Sequence, residues 1–117
     1  MFRFNIPEPP VPAELRERLN DYPHIIQEIQ DELNKLVSKE HYGALPFEEA
    51  TWAIQNVLEI YADQARRETR AAEAIGDAQT IEAAKQKRLL LGTARIEFWA
   101  GDEALWQYFQ ANKELFK

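Results

Sequence analysis

The chain has no cysteine, one methionine and a single serine, Ser38. The missing cysteine rules out a disulfide staple, a thiolate zinc site and a cysteine nucleophile, and makes a reducing cytoplasm the expected compartment. The lone serine stands in no nucleophile elbow, and no glycine-rich phosphate loop is present. Histidine is almost as scarce. His24 and His41 form neither a His-Glu-x-x-His zinc motif nor the Glu-x-x-His spacing of di-iron bundles. No apolar run is longer than Leu89–Leu91, against the ~20 residues that a bilayer span needs, and no basic-then-apolar segment opens the chain. Neither a membrane span nor an export signal is expected, and no cofactor or metal is implied.

What is present is the composition of a globular chain. At 117 residues, 45% apolar and 29% charged, it suits one domain that buries about two-thirds of its unfolded surface. The net charge is −6, and it is unevenly placed: residues 1–62 carry 5 basic and 11 acidic groups, whereas residues 63–100 carry 7 and 6. An acidic protein repels nucleic acid and anionic lipid overall, so a contact with either would need a local basic patch.

Residues 1–12, "MFRFNIPEPPVP", hold four of the six prolines and read as an extended arm, because proline fixes φ and removes a backbone donor. Phe2, Phe4 and Ile6 alternate with polar residues and share one side of such an arm, which is expected to fold back over its own domain, with a partner subunit as the alternative. Five helices follow. The first spans about Ala13 to Asn20. The second runs from Pro23 to about Ser38, with Ile26, Ile29, Leu33, Leu36 and Val37 facing inward. "HYGALP" then breaks the chain before a third helix that starts near Pro46 and keeps its apolar pattern through Phe47, Ala50, Ile54, Val57, Leu58, Tyr61, Ala65 and Ala72.

The segment "AAEAIGDAQTIEAA" at 71–84 holds six alanines and no aromatic residue. Gly76 suits the left-handed residue that closes a helix, and Asp77 is a favoured N-cap for the next. A reversal here makes an antiparallel hairpin whose alanine-lined tip is slim because no other element covers it. An unbroken helix over 47–100 would instead be about 80 Å long and would require a dimer to bury it. The fourth helix, about Ala78 to Ala100, sets Leu89, Gly92, Ile96 and Trp99 nearly opposite Leu91, Ala94 and Phe98, so "LLLGTARIEFW" is expected to be buried on two sides with Gly92 at a close crossing. Gly101 and Asp102 repeat the stop-and-cap signal. A fifth helix then turns Leu105, Tyr108, Phe109, Asn112 and Phe116 inward. The expected fold is an all-α bundle built around a long helical hairpin.

Three groups of residues raise functional questions. The first is four carboxylates: Glu28 and Glu32 on the second helix, and Glu59 and Asp63 on the third, share faces at i, i+4. If they converged they would suit a divalent cation, as in all-helical nucleotide pyrophosphohydrolases. The second is a basic band. Reversal at Gly76 gathers Arg66, Arg67 and Arg70 opposite Lys85, Lys87 and Arg88, a patch that either docks an acidic protein or phosphates, or is neutralised by Asp63, Glu68, Glu73 and Glu82. The third is a pair of tryptophans. Trp52 projects about 160° away from Ile54, Leu58 and Tyr61, and Trp106 lies on the flank of the fifth helix, so both are candidate contact anchors. Arg95, beside the buried stretch, calls for a carboxylate from another helix.

These readings favour a noncatalytic protein-binding module of the inhibitor, immunity or adaptor kind, with Trp52, Trp106 and the six basic residues as candidate partner contacts. The partner is another protein of undetermined identity, and self-association into a homodimer is compatible with the pattern. A metal-dependent nucleotide pyrophosphohydrolase is the alternative, and nucleic-acid contact through the basic band a weaker one.

Overall fold

The computed structural model describes residues 8–37, 46–97 and 103–112. Within them the chain is all-α: α1 (Ala13–Arg18), α2 (Pro23–Val37), α3 (Pro46–Ile75), α4 (Ala78–Glu97) and α5 (Glu103–Ala111). The two longest, α3 and α4, pack along each other as an antiparallel hairpin, with α2 against α3, α5 against α3 and α1 against α4. The result is elongated, 55 × 24 × 22 Å.

Local signals set the breaks where the residue types require them. Pro23 opens α2, since its missing N–H would have no intrahelical partner there. At the hairpin, Gly76 has φ +85° and its N–H bonds to Ala72 O at 2.9 Å, closing α3 as a left-handed cap. Asp77 then caps α4: its carboxylate accepts the Thr80 N–H at 3.1 Å and also the Thr80 hydroxyl. Those hydrogen bonds favour the ionised carboxylate and hold its pKa below the ordinary 3.8.

Burial follows the helical period. Ile29, Leu33, Leu36 and Val37 of α2, Ile54, Val57, Leu58 and Ala65 of α3, and Leu105, Tyr108 and Phe109 of α5 are buried in one apolar cluster. Ile25 is fully buried and the neighbouring Ile26 only partly, so the expected stripe of α2 holds at Ile29, Leu33, Leu36 and Val37 and differs at its first turn, where Ile25 takes the inner position. Beyond that cluster the tip closes on Ala72 and Ala84, joined by Thr69, whose hydroxyl bonds to Ala65 O at 2.8 Å and so leaves no polar atom unsatisfied. Small side chains face each other there, as the alanine-rich segment requires.

One expectation fails. Among the described residues of α4, Leu91 and Ala94 are fully enclosed, but on the other expected side Leu89 is 58% exposed, among Lys85, Gln86 and Thr93. α4 lies against α3 and α1, and the opposite side of this helix faces solvent at Leu89. Nor does Gly92 mark a close crossing, because a Cβ added there would meet nothing within 4 Å. Ile96, Phe98 and Trp99, the rest of that expectation, lie outside the described side chains, as do Phe2, Phe4, Ile6 and Phe116.

The described part of the proline-rich arm, residues 8–12, packs on its own chain. Pro9, Val11 and Pro12 are buried, Gln30 Nε2 donates to Pro9 O at 2.8 Å, and Asn34 Nδ2 donates to Glu8 at 3.1 Å. A polar edge of α2 thus satisfies a backbone that proline bars from helix or sheet.

Candidate interaction surface

The four carboxylates considered for a cation are each engaged elsewhere. Glu28 accepts the Tyr61 hydroxyl, Glu32 pairs with Lys35 at 3.1 Å, Glu59 with Arg95 at 3.9 Å, and Asp63 with Arg66. Among the described residues no group of three or more His, Cys, Asp or Glu side chains is placed to hold a metal ion. The Glu28 hydrogen bond and partial burial push the Tyr61 phenol up to about 12. Tyr61 also meets the edge of His24 at 5.7 Å, and His24 meets Tyr22 at 6.3 Å, an aromatic clasp joining α2 to α3 that sequence reasoning missed. Tyr22 precedes α2 and His24 stands in its first turn, outside the apolar stripe, so no periodic pattern announced the contact.

The basic band divides. Lys87 turns to one side of the hairpin, 3.4 Å from Glu68 and 5.5 Å from the centre of the Tyr22 ring. Arg95 turns to the other, toward Glu59, while its carbonyl accepts Gln55 Nε2 at 3.2 Å. Its partner does come from another helix, but the pair is exposed rather than enclosed, so it adds at most about 1 kcal/mol. Arg66 and Arg88 stand seven residues from Glu59 and Arg95, two turns nearer the tip and within about 20° of the same directions. They therefore continue the Glu59–Arg95 seam, with Arg66 held by Asp63. Arg67, Arg70, Lys85 and Arg88 are exposed and make no ion pair with a described residue. Neutralisation is partial: Asp63 and Glu68 take one cation each, whereas Glu82 accepts from Gln86 instead.

Trp52 is 62% exposed, on the side of α3 away from Ile54 and Leu58. Ile60 is exposed to the same degree, and at 100° per residue it lies within about 80° of Trp52 on that outer face. Sequence reasoning overlooked Ile60, although the angular argument that singled out Trp52 applies to it equally. Trp106 is 42% exposed. Its ring meets Phe47 edge-on at 5.1 Å, so part of its surface joins α5 to the start of α3.

No protein family, curated protein or solved structure matches this chain.

Proposed function

We propose that the chain is a noncatalytic protein-binding module whose contact surface is the outer face of α3, anchored by Trp52. The observation that carries this reading is the exposed tryptophan, with Ile60 also exposed about 12 Å further along a helix whose remaining large apolar groups, Ile75 at the tip apart, are buried or half-buried. Tryptophan in that setting keeps apolar area in water, a cost that a partner relieves, and it is among the residues that dominate binding energy at interfaces. The arginines toward the tip, about 21–27 Å along the same helix from this anchor, supply charged groups suited to orienting a partner. The engaged carboxylates favour a binding role, of the inhibitor, immunity or adaptor kind, over metal-dependent hydrolysis.

The test is affinity capture from the source cells with the intact chain and with Trp52→Ala. One protein recovered in stoichiometric amount by the former and lost with the latter supports the reading. Equal recovery by both, with Trp52 fluorescence equally open to quencher before and after binding, rejects it.

A further inference from the structure

The outer face of α3 carries its charge in two blocks. Taking Trp52 as the reference direction, Glu59, Asp63 and Arg70 lie within about 20° of it, Arg67 about 60° away and Ile60 about 80° away. In chain order this face therefore presents an aromatic anchor, then Glu59, Ile60 and Asp63, and then Arg66, Arg67 and Arg70, all exposed except the half-buried Asp63. From Trp52 to Arg70 acid precedes base, and one acid, Glu73, follows at about 60° from Trp52. A surface complementary to it needs base where this one has acid, and the same face supplies that when the helix is reversed.

We infer that the occupant of this face is a second copy of the chain, its α3 laid antiparallel against the first about a two-fold axis level with Gln64. This rests on the reading of the outer face of α3 as a protein-binding surface and names its partner. The axis sets Glu59 and Asp63 of each copy level with residues 69 and 65 of the other, beside Arg70 and Arg67, so that on pairing each carboxylate shares its contact within the chain, Glu59 with Arg95 and Asp63 with Arg66, with an arginine of the second copy. Every attractive contact is thereby made twice. A parallel arrangement would set acid on acid and base on base, and like charges facing at close range oppose association. Ile60 lies about a turn from the axis, and Trp52 reaches toward the alanine-rich tip of the other copy, where small side chains leave room for the indole. The net charge of −6 opposes approach at long range. At physiological ionic strength, though, screening over about 8 Å leaves the charges that actually face each other in control.

Sedimentation equilibrium of the intact chain, from micromolar to near-millimolar concentration, measures the pairing directly. The wild-type chain is expected to pass from 13.6 kDa to twice that mass. Arg67→Glu with Arg70→Glu makes the face between Glu59 and Arg70 acidic but for Arg66, and Glu59→Lys with Asp63→Lys makes the same stretch wholly basic, so each double variant alone is expected to remain monomeric. An equimolar mixture of the two is expected to recover the dimer, because acid again meets base at both ends. Recovery also shows that both variants are folded. If either variant loses its helical circular dichroism, a nitroxide on Asn56→Cys substitutes, since the chain has no other cysteine. Antiparallel pairing at the stated axis requires one intermolecular separation of about 25 Å. A wild-type chain that is monomeric throughout, a dimer indifferent to both charge reversals, or the absence of that separation overturns the inference. A monomer that still captures a different protein through Trp52 overturns self-pairing alone; one that captures nothing overturns the protein-binding reading as well.

Discussion

The two ends of the α3–α4 hairpin are held together by different means. At the body end, Ile54, Val57 and Leu58 of α3 share one apolar cluster with α2, α5 and the Leu91–Ala94 stretch of α4. At the tip, Ala72 and Ala84 are buried outside that cluster, and the reversal depends on one glycine and one aspartate cap. Many large side chains secure the first, backbone geometry and a few hydrogen bonds the second. Cooperative stability therefore belongs to the body, and local opening belongs to the tip.

Removing a body contact should cost most. Leu58→Ala deletes a fully enclosed side chain and is expected to destabilise by about 2–5 kcal/mol, read as a lower urea midpoint. A loss below 1 kcal/mol would mean that the cluster is not the source of stability.

At the tip, Gly76→Ala meets no steric obstacle, since nothing lies within 4 Å of the added Cβ, yet it must hold φ near +85°. The expected cost is about 1–2 kcal/mol, from backbone conformation alone. Hydrogen exchange should locate it around residues 70–83 while the body stays protected, and a uniform loss of protection would merge the two regions into one unit.

The pH response sharpens the same contrast. The Asp77 pKa is lowered by folding, so its cap is fully present above the unfolded value of about 3.9 and is lost as pH falls through the lower folded value. Acidification below about pH 4 should fray the first turn of α4, seen at the Thr80 amide resonance, and Asp77→Asn should remove that transition.

The smallest effect is expected at Leu89. Leu89→Gln replaces an exposed side chain and should shift stability by no more than about 0.5 kcal/mol. A loss comparable to that of Leu58→Ala would show that a second surface covers α4.

Much of this was legible before any coordinates. Gly76 and Asp77 announce the turn through the conformations that their own side chains allow. The inward stripe of α3 was readable at nearly every position because the helical period runs unbroken for 30 residues. α4 was not, because apolar residues on opposite sides of a helix reveal how many faces are greasy but not how many neighbours arrive to cover them. Leu89 and Leu91 are two residues apart and chemically identical; only the placement of α3 and α1 separates the buried one from the exposed one.

The surface divides along the same line. Trp52 stood out because its angle from the apolar stripe is a property of one helix. The basic band did not resolve from sequence, since Lys87 turns to Glu68 and the Tyr22 ring, whereas Arg88 makes no ion pair with a described residue.

By itself, then, the sequence determined the all-α class, the reversal at Gly76, the cap at Asp77 and the inward face of α3, all consequences of backbone preference and the 3.6-residue period within one segment. The tertiary structure alone decided that Glu28, Glu32, Glu59 and Asp63 go to separate partners, that Leu89 faces water, and that Lys87 leaves the company of its basic neighbours. Each of those outcomes depends on distances between helices, which are set by how side chains from distant segments fill shared space, and no single segment encodes that.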